Sequence, residues 1–305
     1  MLAFVLRRLL IALPVLLAVL IATFLLTRLM PGNPFSQERE ITPAILQAIE
    51  ERYNLDGNLF EQTTSYLGGV LHGDLGLSTQ YRKRTVNEIL AQTVPVSMTL
   101  GGIALALALF FGVTLGVMAA VWHNRPADRL AMLAALVGIS VPNFVVGPLL
   151  VLAFAILIPL LPTSGWGSPA QVVLPAICLS IPYIAYIARL TRASMLETLG
   201  QDFVRTARAK GLAERRVVFK HALKVGILPV VTYCGPLAAA VLTGGIVVET
   251  IFAIPGMGPF FVNSILNKDP FMIGGMVLVY STLLILFNLL VDIAYFLLDR
   301  RVKLA

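Results

Sequence analysis

The chain has 305 residues, of which 58% are hydrophobic and 13% charged, and its mean hydropathy is +0.86. This composition excludes an ordinary soluble globular domain and indicates a membrane protein. The net charge of +7 does not indicate nucleic-acid binding, because the basic residues lie beside long apolar runs and not on a soluble basic face.

Six apolar stretches contain no Asp, Glu, Lys or Arg and approach or exceed the roughly 20 residues that a helix needs to cross a bilayer. In chain order they are Leu9–Thr27, Val96–Trp122, Leu130–Leu161, Val172–Ala188, Val225–Val248 and Met272–Val291. Lys and Arg collect at alternate ends of these stretches, at residues 7–8, 125–129, 189–224 and 300–303. Because positive charge is retained on the cytoplasmic side, we predict six transmembrane helices with both termini in the cytoplasm.

The first stretch is interpreted as an uncleaved membrane anchor. A secretory signal peptide is the alternative, because the stretch follows Arg7 and Arg8. Its apolar core is longer than that of a usual signal peptide, and it is followed by Leu29 to Gly32 instead of a small-residue cleavage site.

Residues 31–95 are predicted to form a small ordered periplasmic cap, because the segment is long and carries more acidic than basic residues. Within it, Thr42 followed by Pro43 is typical of a helix start. The predicted division of the chain is therefore 1–30 for the first transmembrane helix, 31–95 for the periplasmic segment and 96–305 for a five-helix core with a cytoplasmic loop at 189–224.

The second and third stretches contain residues that affect helix packing and direction. Gly112 and Gly116 have the G-x-x-x-G spacing, which permits close helix packing. The third stretch is too long for one straight span and is interrupted by Pro142, Pro148 and Pro159. Since proline kinks or ends a helix, we predict a kinked helix that breaks near Pro159.

The cytoplasmic segment 189–224 is predicted to contain a short helix, a turn and a second short helix. Good helix formers run up to Lys210, and Gly211 suits the left-handed conformation that ends a helix. A second helix restarts near Glu214, whose charge suits a helix N-terminus, and continues through Ala222. Such an elbow can seat in a groove of a soluble partner. A solvated basic loop held against anionic headgroups is the alternative.

Ionisable residues at the span ends receive two interpretations. Arg189 and Arg192 are interpreted as anchors whose side chains reach the membrane interface. Glu249 and Asp292 are candidates for a polar cavity or a helix–helix contact, because an ionisable group in lipid costs about 2.5 to 3.5 kcal/mol.

A turn after the fifth stretch is predicted to be a re-entrant loop at the outer mouth of the protein. Its residues are Glu249, Pro255, Gly256 and Gly258. Non-helical backbone near membrane depth is tolerated where protein covers it or where it lines a wet cavity. A plain extracellular turn is the alternative.

The run Thr206, Ala207, Arg208, Ala209, Lys210, Gly211, Leu212 resembles the EAA loop of bacterial ABC importer permeases, in the R-T-A-R-A-K-G-L form of the peptide branch. Arg205 stands where the general motif has Glu, and His221 to Lys224 stand where it has I-x-L-P. Met30–Phe35, His72–Gly76 and Glu249–Gly258 resemble the same branch. The resemblance covers nearly the whole chain and is closest to oligopeptide permease B subunits, with dipeptide permease B subunits second.

The resemblance implies a type I ABC importer permease fold in the bacterial inner membrane, with a periplasmic insertion after the first helix. It implies a non-catalytic subunit that forms, with a second homologous permease, the path for oligopeptides into the cytoplasm. Two ABC ATPases would bind ATP and Mg and a periplasmic peptide-binding protein would deliver the substrate, so no cofactor and no nucleic acid is expected on this chain. The residues that the resemblance assigns to ATPase docking are Arg205, Thr206, Ala207, Arg208, Ala209, Lys210, Gly211, Leu212, Ala213, Glu214, Arg215 and Arg216.

Other solutes and other classes of protein remain as alternatives. A dipeptide, a nickel chelate or an oligosaccharide is an alternative substrate of the same branch. An ion-coupled transporter working alone would show charges at the middle of several spans, which the sequence lacks. An intramembrane hydrolase is disfavoured because all three histidines, His72, His123 and His221, lie outside the spans. No metal site is predicted, since Cys178 and Cys234 lie in apolar runs without C-x-x-C spacing.

Overall fold

The computed structural model describes residues 2–29, 58–81, 84–243 and 245–298, which are helical apart from turns and one isolated bridge between Leu77 and Thr85. The helices are α1 Leu2–Leu29, α2 Leu59–Leu71, α3 Val86–Val121, α4 Pro126–Ser140, α5 Asn143–Val151, α6 Pro169–Leu199, α7 Asp202–Ala209, α8 Glu214–Arg216, α9 Leu223–Gly226, α10 Leu228–Leu242, α11 Ile246–Ile251, α12 Met257–Leu266 and α13 Pro270–Leu298. Two π-helical segments, Leu152–Leu157 and Val217–Ala222, continue α5 and α8. The predicted all-α class is confirmed for these residues.

Within the described ranges, five helical segments are long and apolar enough to cross a membrane, and the bent pair α4–α5 adds a sixth if it is counted as one span. The six apolar stretches of the sequence each fall on one of these segments. Three predicted features lie outside the described residues: the helix start at Thr42 and Pro43, the Met30–Phe35 stretch and the basic residues at 300–303.

The third stretch is kinked, as predicted, and its sharp bend lies at Pro142, one of the three prolines that interrupt it. The axes of α4 and of the helix Asn143–Leu157 differ by 105°, and the break lies at Val141 and Pro142. Val141 takes an extended conformation (φ −87°, ψ 118°), because a residue before proline is pushed out of the α region. The predicted break near Pro159 is confirmed, because the helix ends at Leu157.

By its internal contacts the chain divides into unit 1, Met1–Ser97 with Pro255–Ile285, and unit 2, Met98–Ile254 with Leu286–Ala305. The core of unit 1 gathers around aromatic side chains from α1, α2 and α13. The Phe24 and Tyr66 rings are stacked with centroids 5.1 Å apart, and Tyr66 lies 5.8 Å from Phe271. These ring contacts join α1 to α2 and α2 to α13.

A buried carboxylate fixes the start of α13 in unit 1. Asp269 accepts hydrogen bonds from the Ser78 hydroxyl at 2.5 Å and from the backbone N–H of Met272 at 3.0 Å. The second bond satisfies one of the donors that the first turn of a helix leaves free. The turn that follows the His72–Gly76 stretch is thereby tied to the first turn of α13.

Helix α6 is the centre of unit 2, where α4, α5, α9, α10 and α11 pack on it. Helix α3 approaches α6 closely at two glycines. A Cβ placed at Gly112 would lie 2.7 Å from the Ile187 Cβ, and one placed at Gly116 would lie 2.5 Å from the Thr191 Cβ. The close packing that the G-x-x-x-G spacing permits is therefore present.

Candidate functional site

The predicted helix–turn–helix is present between α6 and α10, and we call residues 202–222 the elbow. Helix α7 ends at Ala209, and Gly211 adopts a left-handed conformation with φ +74°. The Gly211 N–H donates to the Arg208 carbonyl at 2.9 Å and the Leu212 N–H to the Ala207 carbonyl at 3.4 Å. This pair of bonds is the Schellman arrangement that satisfies the last carbonyls of a helix. Helix α8 then begins at Glu214.

One side of the elbow is packed against the C-terminal ends of α3 and α6. Its buried side chains are Val204, Ala207, Val217, Val218 and Ala222, and they meet Val117, Ala120 and Met195. Burying a valine side chain contributes about 1.5 to 3 kcal/mol. The elbow is therefore a packed part of unit 2, so its position is coupled to that of α3 and α6.

The other side of the elbow is exposed and mainly cationic. The exposed members of the predicted site are Arg205, Thr206, Arg208, Ala209, Lys210, Gly211, Ala213, Glu214, Arg215 and Arg216, whereas Leu212 is half-buried. Ala207 is buried, so its small side chain permits close packing within unit 2 and not the approach of an outside partner. Phe203 and Phe219 are 42% and 58% exposed, and they add two apolar side chains to this surface that the motif did not indicate.

An ion pair bridges the turn of the elbow. Arg208 donates to Glu214 through Nη2 at 2.7 Å and through Nε at 3.1 Å. The bond from Arg208 lowers the pKa of Glu214, and the bond to Glu214 raises the pKa of Arg208. Because both side chains are about half exposed, the pair orients the turn more than it stabilises the fold.

The residues of the predicted outer loop fall in both units. In unit 2, Glu249 is fully buried in α11, and its carbonyl accepts the Ile254 N–H at 2.8 Å. In unit 1, Pro255 is exposed, Gly256 and Gly258 are buried, and Gly256 caps α12 with extended backbone. Helix α12 has 10 residues, about half of what a bilayer crossing needs. The choice between a re-entrant loop and a plain turn stays a prediction.

The sequence matches one family of membrane transport proteins along most of its length. Residues 112–304 match the family described as binding-protein-dependent transport system inner membrane component, and residues 1–100 match its N-terminal region. The chain belongs to this family. Its members are non-catalytic membrane components of transport systems. This permease component is accordingly a multi-pass protein of the inner membrane.

Similar proteins include permeases of two peptide transport systems. The chain is 43% identical to the oligopeptide transport system permease protein OppB of Haemophilus influenzae and 45% identical to OppB of Salmonella typhimurium, in each case over 99% of this chain and 100% of the relative. It is 45% identical to the dipeptide transport system permease protein DppB of Bacillus subtilis over 92% of each chain. The predicted resemblance to the peptide branch is confirmed.

A solved structure shares the fold of this permease component. The methionine ABC transporter MetNI, in inward-facing conformations, matches with a TM-score of 0.50 and 18% identity over 70% of this chain and 94% of the matched chain. The likeness supports the ABC permease fold that the resemblance implied.

One polar site in unit 2 of the permease component was missed by the sequence analysis. Asp128 in the first turn of α4 is 2% exposed, and Arg192 on α6 donates two hydrogen bonds to it. Arg192 had been interpreted as an interfacial anchor, but its side chain instead forms a tertiary ion pair. The two residues are 64 positions apart, and no local pattern in the sequence indicates their contact.

Proposed function

We propose that this permease component forms, together with a second homologous permease, the path by which oligopeptides enter the cytoplasm. The observation that carries the proposal is the 43–45% identity, over nearly the full length, to permease proteins of oligopeptide and dipeptide transport systems. Two separate ATPases would bind ATP and Mg, and a periplasmic peptide-binding protein would deliver the substrate.

The elbow is the surface proposed to dock on an ATPase. Its packed side contacts α3 and α6, so a force applied to the exposed side would reach two helices of unit 2. Its exposed side carries six cations, Arg205, Arg208, Lys210, Arg215, Arg216 and Lys220, against Asp202 and Glu214, which favours a groove with acidic side chains. Phe203 and Phe219 would supply the apolar contacts of that interface.

The proposal includes a membrane arrangement. We infer six spans with both termini in the cytoplasm, a type I importer permease fold and a periplasmic insertion over residues 31–95, between the first helix at 1–30 and a five-helix core at 96–305. The outer loop with Glu249, Pro255, Gly256 and Gly258 would lie at the periplasmic mouth.

Transport by the reconstituted importer tests the substrate. The complete complex in proteoliposomes, supplied with its binding protein and ATP, should accumulate a labelled tri- to pentapeptide. Dipeptide, nickel chelate and oligosaccharide are the competing solutes. Accumulation of the chelate or the sugar but not of peptide would overturn the peptide assignment, and ion-driven uptake by the lone chain would overturn the importer assignment.

Copurification tests the docking surface. A tagged chain should retain the second permease and both ATPases, and Arg205→Glu should reduce the retained ATPase at least about tenfold, because reversal of one close interfacial charge costs several kcal/mol. Arg129→Glu is the matched control, since Arg129 is exposed in the first turn of α4, at its predicted cytoplasmic end. Equal ATPase retention by the two variants would argue against docking at the elbow.

A further inference from the structure

A buried ion pair of unit 2 lies between α4 and α6. Arg192 Nε donates to Asp128 Oδ1 at 2.6 Å and Arg192 Nη2 donates to Oδ2 at 2.8 Å. The backbone N–H of Asn124 donates to Oδ2 at 2.9 Å, from a left-handed residue with φ +63°. His123 Nδ1 lies 3.4 Å from Oδ2 and 3.2 Å from Arg192 Nη2. Asp128 is thus held by one side chain of α6 and by the turn that precedes α4.

This pair has a defined geometry that a purely apolar contact would lack. A bidentate bond between arginine and a carboxylate fixes both distance and orientation. Asp128 is 2% exposed and Arg192 24% exposed, so removal of one partner would leave a buried charge unpaired, which is more damaging than removal of both.

The rest of the α4–α6 contact is made mainly by small side chains. A cavity of about 150 Å³ lies between α3, α4 and α6, and small side chains line most of it, among them Ala131, Ala134, Ala135 and Ala188. A Cβ at Gly138, near the other end of α4, would meet the Ala185 Cβ at 3.2 Å. The ion pair adds to this packing a directional contact, whose bidentate geometry fixes the distance and orientation of α4 on α6 at one end of their interface.

The pair also lies on the way from the elbow to the outer part of unit 2. Arg192 is about two helical turns before the end of α6, and the next turn carries Met195, which packs on the elbow. On the other side, α4 leads through the Pro142 bend to α5. Helix α5 packs on α11, and a Cβ placed at Gly147 would lie 3.2 Å from Ile251 Cδ1 and 3.5 Å from Phe252 Cε2.

We propose that Asp128 and Arg192 are positioning residues that clamp α4 to α6, so that a displacement of the elbow is carried through α4 and α5 to α11. This inference rests on the proposed function of the chain as an importer permease. Without the clamp, α6 would move with the elbow while α4 slips along the cavity. ATP hydrolysis would then continue with little transport.

Activity of the full importer in proteoliposomes is the first test. Asp128→Asn and Arg192→Gln should each raise the ATP hydrolysed per peptide taken up at least tenfold, with hydrolysis within twofold of wild type. Arg192→Lys, which keeps the charge but not the bidentate geometry, should be intermediate. The double variant Asp128→Asn/Arg192→Gln should melt at a higher temperature than Arg192→Gln, because no buried charge remains unpaired, but should stay uncoupled, because the clamp is still absent. Arg189→Gln, an exposed arginine one turn earlier on α6, is the matched control and should stay within twofold in both measurements.

A distance measurement keeps the test independent of transport. Spin labels at Leu136→Cys on α4 and Glu197→Cys on α6, both exposed, are placed in the complex with Cys178→Ala and Cys234→Ala. The distance distribution should be narrow in the parent complex and broadened or shifted by Asp128→Asn. If the wild-type complex takes up no peptide, the proposed function is wrong. The distances between the two spin labels then still test whether Asp128 and Arg192 hold α4 to α6. Unchanged distances, an unchanged coupling ratio, or parallel loss of hydrolysis, uptake and melting temperature would overturn the clamp.

Discussion

At the scale of single residues, the turn of the elbow depends on one backbone conformation. Gly211 has φ +74°, and a Cβ placed there would have no atom within 4 Å. Substitution therefore strains the backbone without creating a clash. We expect Gly211→Val to destabilise the elbow by about 1–2 kcal/mol and to lower peptide uptake per ATP while membrane insertion stays intact.

The control for this change uses the same position. Gly211→Asn should retain most of the uptake, because asparagine enters the left-handed region more readily than a β-branched residue. Uptake and hydrolysis are measured on the reconstituted importer, and the inserted amount is measured by immunoblot of washed membranes. Wild-type coupling in Gly211→Val would show that the turn does not transmit force.

The pH response of the elbow follows from its ion pair. Arg208 holds the pKa of Glu214 below its ordinary value of 4.5. A carboxyl whose pKa is lowered by folding contributes stability above the pKa of the unfolded state and loses it as the pH falls through the lowered pKa. We expect Glu214→Gln to destabilise the elbow by less than about 1 kcal/mol, equally at about pH 8 and about pH 6. Hydrogen exchange of residues 211–216 in both proteins measures this, and a difference that disappears by pH 6 would contradict it.

At the scale of elements, the contact between α3 and α6 requires glycine at a specific place. A Cβ at Gly116 would lie 2.6 Å from the Ala188 carbonyl oxygen, which belongs to the backbone of α6. Gly116→Ala should therefore force the helices apart and destabilise unit 2 by about 1–3 kcal/mol. Gly102→Ala in the same helix is the matched control, because its Cβ would meet only Leu242 Cδ2, at 3.8 Å.

The measurement is the melting temperature of the two variants in detergent. Gly102→Ala should be neutral or more stable by up to about 1 kcal/mol, since alanine favours the helix. A lower melting temperature for Gly116→Ala alone confirms the close approach. Similar melting temperatures for the two variants would contradict the prediction, and would mean that the backbone of α6 near Ala188 shifts at little cost to make room for the methyl group.

Elements whose signals are local could be predicted from the sequence, and those that depend on tertiary contacts could not. The elbow was predictable because Gly211 and Glu214 mark a helix end and a helix start within four residues. The position of the bend was not, because three prolines interrupt one stretch and Pro148 is tolerated inside α5. The Asp128–Arg192 pair was missed because each residue alone looks like an ordinary charge beside a span.

At the scale of the whole molecule, the bent pair α4–α5 decides how many times the chain crosses the membrane. With a 105° bend, the pair either crosses as one broken span or re-enters and returns to the side on which it began. A crossing puts residues 162–171 opposite residues 123–129, and a re-entrant pair puts the two segments on the same side. Because 162–171 contain no Lys or Arg, whereas 123–129 and the elbow are basic, we predict that the pair crosses.

Single cysteines in a chain with Cys178→Ala and Cys234→Ala test this topology. The exposed positions are His72 in the predicted periplasmic segment, Thr163 after α5 and Lys210 in the elbow. A membrane-impermeant maleimide should label His72→Cys and Thr163→Cys in intact spheroplasts, and Lys210→Cys only after permeabilisation. If α4–α5 re-enters, Thr163→Cys becomes protected and Lys210→Cys becomes accessible from outside. That outcome would also remove the elbow from the compartment that holds ATP, so the docking proposal and the topology stand or fall together.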